Sequence, residues 1–206
     1  MKKFVLISMV MVVNCACAWN SVSEMEEDFC VALTNSDYLL SAIFTNRLSS
    51  VTNFTSAELR CEVFMLSAIH AAQSFEVTAD IGWIQEEMKQ ASNAVVVVGK
   101  QPDKWQYWMS RLVYAGACAS LSNYEGSFCV MTNSLNEINS FGFTNDVSLV
   151  GQLLLKKYEM SGIGVREAMM VMAGMSAAVT GDGSVATNYA NQVSVPYKST
   201  ILEFIK

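Results

Sequence analysis

Residues 60–72 read Arg60-Cys61-Glu62-Val63-Phe64-Met65-Leu66-Ser67-Ala68-Ile69-His70-Ala71-Ala72, and this stretch decides the fold. After its opening arginine it is nearly all apolar, with small residues interspersed. The same texture returns at Arg111-Leu112-Val113-Tyr114-Ala115-Gly116-Ala117-Cys118-Ala119. It returns again at Arg166-Glu167-Ala168-Met169-Met170-Val171-Met172-Ala173-Gly174-Met175-Ser176-Ala177-Ala178. The three arginines are 51 and 55 residues apart, and Arg47 is the only other arginine in the chain. A helix that is apolar all round must be buried all round. These three segments are therefore expected as inner helices whose small residues let backbones approach closely, with more polar helices packed outside.

The surrounding sequence has the same period. Ile81, Ile84, Met88, Ala91 and Val95 recur at steps of three and four, with Glu86, Glu87, Lys89 and Gln90 on the opposite side. Val147, Val150, Leu154 and Tyr158 make a similar stripe. Thr55-Ser56-Ala57-Glu58 and Ser134-Leu135-Asn136-Glu137 read as capping boxes, as does the stretch from Ser21 to Glu24. Gly99, Gly126 and Gly181-Asp182-Gly183 read as stops or turns. Helices are expected over 21–33, 36–49, 55–75, 79–97, 103–122, 134–141, 146–160, 164–180 and 196–205. A strand at Val95 to Val98 is the alternative for one short run.

These patterns place the chain in the all-α class: a multi-helical bundle, or a solenoid-like stack of antiparallel helical hairpins with seven to nine helices. A second echo pairs Phe29-Cys30-Val31-Ala32-Leu33-Thr34-Asn35-Ser36 with Phe128-Cys129-Val130-Met131-Thr132-Asn133-Ser134. Together the echoes suggest helical-hairpin repeats of about 50 residues. The tetratricopeptide pattern is not met, because its tryptophan, glycine, tyrosine and proline positions do not line up.

The amino terminus has the character of an export signal. Lys2-Lys3 precede an apolar run from Phe4 to Val13, too short to span a bilayer, and Ala16-Cys17-Ala18 offers a small-x-small cleavage site. Residues 1–18 are expected as a signal peptide and 19–206 as a single helical domain, exported to a periplasmic or extracellular space. Lipoprotein anchoring through Cys15 or Cys17 fits less well, since Asn14 stands where that motif wants other residues. The mature chain shows no transmembrane segment. The chain has 13 basic and 19 acidic residues, a net charge of −6, and 52% of its residues are hydrophobic. A nucleic-acid partner needs a basic surface, and none is supplied here.

Four cysteines remain after cleavage: Cys30, Cys61, Cys118 and Cys129. Pairing Cys30 with Cys61 and Cys118 with Cys129 would join neighbouring helices; the alternative is free, buried thiols. No zinc site is expected from one histidine and this cysteine spacing.

His70 is the only histidine. It shares a helix face with Leu66 and Val63, so it reads as a core residue before it reads as a general base. No Gly-x-Ser-x-Gly nucleophile elbow occurs. Glu24, Glu26, Glu27 and Asp28 complement a helix start, and Glu86 and Glu87 read as a solvated face. Asp182 lacks the companions of a calcium loop, and Gly162-Ile163-Gly164 lacks those of a nucleotide fingerprint. Met169, Met170, Met172 and Met175 have the spacing of core packing. Trp105 and Trp108 share a face with Leu112, Tyr107 shares another with Arg111, and Trp83 lies on the preceding helix. Buried, these aromatics fill a core; exposed, they form a binding surface, and this is the place to look for a ligand.

The expectation is thus a non-catalytic interaction module for a protein or glycan, without cofactor or metal. The alternative is a glycan-acting hydrolase using paired carboxylates drawn from Glu26, Glu27, Glu86 and Glu87.

Overall fold

A computed structural model describes residues 56–138 and 164–205, and among these residues the chain forms seven helices and no strand. They are α1 (Ala57–Thr78), α2 (Ile81–Val98), α3 (Trp105–Ser120), α4 (Tyr124–Glu137), α5 (Val165–Val179), α6 (Gly183–Ala190) and α7 (Val195–Glu203). Val95–Val98 is the last turn of α2. The expected helices 21–33, 36–49 and 146–160, and the signal peptide, lie outside the described residues.

The three arginine-led segments are α1, α3 and α5. In α1 every residue from Cys61 to Ala71 is buried, the polar Glu62, Ser67 and His70 included. Its start is set by Ser56, whose Oγ accepts from the Leu59 N–H at 3.1 Å. The cap is therefore Ser56 and not the Thr55 of the expected box. α1 packs on α2, α3 on α4 and α5 on α6; α1 also packs on α3, and α3 on α5.

One turn design closes all three pairs. Each first helix runs into a residue with positive φ, followed at once by an Asx residue that caps the next helix. The left-handed residues are Ala79 (φ 55°), Ser122 (φ 59°) and Gly181 (φ 90°). The caps are Asp80, Asn123 and Asp182, accepting from the N–H of Gly82 at 2.9 Å, Gly126 at 3.0 Å and Val185 at 3.1 Å. At the second and third turns the cap residue's own N–H reaches back to the ending helix, Asn123 to the Cys118 carbonyl at 2.8 Å and Asp182 to that of Ala177 at 2.9 Å. Orphaned groups of both helices are thus satisfied within a few residues.

This chemistry corrects two expectations. Gly126 does not stop a helix; it lies in the first turn of α4, where a Cβ would come 2.6 Å from Asn123 Nδ2. Ser134 to Glu137 is accordingly the end of α4 rather than the start of a helix over 134–141. The Gly181-Asp182-Gly183 turn leads into α6, a helix absent from the expected set.

The core runs without a break from α1 to α5, and a smaller cluster joins α5, α6 and α7 through Ala177, Ala186, Ala190 and Ile201. Gly174 permits this second contact: a Cβ there would lie 2.8 Å from Ile201 Cδ1 and 3.1 Å from Tyr189 Cβ. The buried face of α2 is Ile84, Glu87, Gln90, Ala91, Ala94 and Val98. It is rotated from the expected stripe, so Ile81 is exposed while Glu87 and Gln90 turn inward.

Cys61, Cys118 and Cys129 are free thiols. The expected Cys118–Cys129 disulfide is not formed: Cys118 faces the core of α3 while Cys129 is on the exposed side of α4. Cys30, the expected partner of Cys61, lies outside the described residues. Burial pushes the Cys61 thiol well up, with the Glu62 charge adding to it. Cys61 and Cys118 therefore behave as small apolar residues.

Candidate functional site

Trp105, Tyr107 and Trp108 enter α3 in its first turn and are 3%, 2% and 2% exposed. The Trp108 indole N–H donates to the Pro102 carbonyl at 3.0 Å, and its ring meets Tyr107 edge to face with centroids 4.7 Å apart. These rings fill the core, so they do not make an exposed stacking platform. Trp83 is half-buried on α2.

Tyr107 nevertheless reaches a cavity. Its hydroxyl donates to Glu137 Oε2 at 3.0 Å, and its backbone carbonyl accepts from Arg111 Nη1 at 2.9 Å. The Arg111 guanidinium carbon lies 3.4 Å from the Tyr107 ring centroid, a close cation–π contact. Around these groups is a recess of about 290 Å³. Tyr107, Arg111 and Tyr114 of α3 form one wall at steps of four and three; Val130, Asn133 and Glu137 of α4 form the other at steps of three and four. Val95 of α2 closes one side.

The electrostatics of the recess centre on Arg111. It is half-buried, and burial lowers its pKa against the opposing pull of Tyr107, Glu137 and Cys61. The ion pairs among the described residues are Lys89–Glu86 at 3.1 Å and Lys104–Glu58 at 3.7 Å; Arg111 is in neither. Burial and the bond to Glu137 push the Tyr107 hydroxyl up, and burial does the same to Tyr114.

Other singled-out residues are placed elsewhere. His70 is wholly buried in α1, and its carbonyl accepts from Ser74 Oγ at 2.8 Å. Glu62, also buried, accepts from Gln106 Nε2 at 2.7 Å across the α1–α3 interface. Glu86 is engaged on its own helix by Lys89 and Gln90. Glu87 is not part of a solvated face: it is 6% exposed, and Oε1 accepts from Ser120 Oγ at 3.2 Å while Oε2 is buried with no hydrogen-bond partner among the described residues. Burial pushes its pKa up to about 7, Glu76 adds to the rise and the Ser120 bond opposes it. Asp182 is a helix cap that also accepts from Ser184 Oγ at 2.9 Å. Glu24, Glu26, Glu27 and Asp28 lie outside the described residues. Among the described residues no group of three His, Cys, Asp or Glu side chains is placed to hold a metal, and no helix is long and apolar enough to cross a membrane.

No protein-family model, curated protein or solved structure matches this chain.

The sequence pointed to Tyr107 and Arg111 but missed the α4 wall. Asn123 as a cap, Glu125 in the first turn, and Phe128, Met131 and Leu135 at steps of three and four were the available signal. Gly126, with the look of a stop, concealed it.

Proposed function

We propose that this chain is an exported, non-catalytic binding module in which antiparallel helical hairpins stack side by side and a protein partner engages the recess between α2, α3 and α4. The observation that carries the reading is the recess itself. It gathers a half-buried guanidinium, two tyrosines, an amide and a carboxylate on two helices, which is recognition chemistry: donors and acceptors on a firmly packed frame. The recurring turn and the α1–α3–α5 contacts support the stack. A periplasmic or extracellular location rests on residues 1–18.

The glycan-hydrolase reading has one observation in its favour, the raised pKa of Glu87. Against it, Glu86 and Glu87 are adjacent on a helix and so point about 100° apart, which does not suit two carboxylates flanking one bond.

A photo-crosslinking residue placed at Asn136, exposed on α4 beside the recess, tests the module in cells expressing the full chain. The expected result is a discrete protein adduct that Arg111→Gln removes and that the same probe at Asn188 does not give. Adducts indifferent to both changes overturn the reading. Glycan hydrolysis abolished by Glu87→Gln would establish the enzyme instead.

A further inference from the structure

We infer that the recess binds a peptide through a carboxylate, and that Arg111 is the residue that holds it. This rests on the binding-module reading and names the chemistry of its ligand.

The guanidinium has been taken partly out of water; the Glu137 charge acts on it, but no described carboxylate lies within ion-pair distance of it. A cation in that position is only partly compensated, and gains when an anion makes direct contact. It is also preorganised. One N–H is tied to the Tyr107 carbonyl at 2.9 Å and the guanidinium carbon sits over the Tyr107 ring, leaving further donors of a rigid fork that matches a carboxylate. Glu137 does not fill this role; its Oε2 accepts the Tyr107 hydroxyl, and it is exposed.

The volume limits the ligand. About 290 Å³ is at the bottom of the range of small-molecule sites, so it admits a side chain or a chain end and not a folded surface. Beside Arg111, Asn133 uses its Nδ2 toward Cys129 Sγ at 3.5 Å, which leaves its amide oxygen to accept a backbone N–H. A peptide carries that N–H next to its carboxylate. A sugar would want an open aromatic face, whereas Tyr107 is buried and one face of its ring carries the guanidinium.

The test uses the full, isotope-labelled chain and follows the Arg111 Nε–H resonance during titration with four probes. These are acetyl-tetra-alanine with a free carboxylate, the same peptide amidated, an amidated peptide with one internal glutamate, and a uronic-acid disaccharide. A free carboxylate, terminal or side-chain, is expected to shift the resonance, with the neutral peptide at least about tenfold weaker; comparing the two acidic peptides assigns the source. Arg111→Gln is expected to abolish the shift in Tyr107 and Tyr114 resonances that the acidic peptide causes. Because that variant also loosens Tyr107, Glu137→Gln is the second: it keeps an acceptor for the Tyr107 hydroxyl, removes the rim's negative charge and is expected to tighten acidic-peptide binding about threefold or more. Equal binding of acidic and amidated peptides, no effect of Glu137→Gln, or a response to the disaccharide alone overturns the inference. If the peptides are silent while the Asn136 crosslink still captures a protein through Arg111, the carboxylate is wrong and the module stands. If both are silent, both fall.

Discussion

Arg111 lies over the ring of the residue four positions before it, its guanidinium carbon 3.4 Å from the centroid of Tyr107, while the Tyr107 hydroxyl crosses to Glu137 on the next helix. The pair therefore joins α3 to α4 and shapes the recess at the same time. Tyr107→Phe keeps the packing and loses only the hydroxyl bond, which is expected to cost about 1 kcal/mol in urea denaturation. Tyr107→Ala removes a buried aromatic and is expected to cost about 3–5 kcal/mol. Equal effects of the two variants would place the hydroxyl bond, not the ring, at the centre of this contact.

Two helical glycines are expected to respond in opposite directions to alanine. Nothing among the described residues lies within 4 Å of a Cβ built on Gly116, so Gly116→Ala should gain about 1 kcal/mol from helix propensity. At Gly174 the new methyl meets Ile201 and Tyr189, so Gly174→Ala should lose about 1–3 kcal/mol by overpacking the α5–α6–α7 cluster. Thermal melts of the two proteins give the comparison directly.

The turn residues make a similar set. Ala79 and Ser122 hold left-handed backbone that disfavours side chains, so Ala79→Gly and Ser122→Gly should each stabilise by about 0.5–1 kcal/mol. Gly181→Ala, with no described residue within 4 Å of the new methyl but φ at 90°, should destabilise by about 1–2 kcal/mol. A loss of stability in both glycine variants would contradict the shared turn design.

The burial of α1 was plain in residues 60–72 because a helix with no polar side has only one place to go. The boundaries near Gly126 and Gly183 were hidden, because a glycine in a helix's first turn and a glycine after a helix look alike until the capping partner is known. Glu87 and Gln90 have the polarity of outward-facing residues. Packing rotates α2 instead, and part of the cost of turning Glu87 inward is met by Ser120, 33 residues away in sequence. The recess was half legible: Tyr107 and Arg111 share a helix face, but their opposite wall depends on how α4 docks.

Glu87 sets a pH dependence. Its folded pKa, about 7, stands above the ordinary value of 4.5, so the folded protein holds this proton more tightly than the unfolded chain. Its favourable contribution is complete below pH 4.5 and is lost as pH rises toward 7. Glu87→Gln imitates the protonated form. The difference in stability between the variant and the parent should therefore be small at pH 4.5 and grow to the order of 1–3 kcal/mol at pH 8. Denaturant titrations at several pH values would show this, and a constant difference would refute it.

The thiols should sort by accessibility. Cys129 is exposed, Cys61 and Cys118 are buried, and burial raises both buried thiols. A maleimide under native conditions should label Cys129 rapidly and the other two only on unfolding, as read by peptide mass mapping. Rapid native labelling of Cys61 would show that the α1–α3 interface opens.

The repeated closure at Ala79-Asp80, Ser122-Asn123 and Gly181-Asp182 has an evolutionary corollary. Each joint is specified by a handful of adjacent letters, so selection can alter one without rewriting the others. The faces that seat one pair on the next are a separate inheritance, written across the continuous core from α1 to α5.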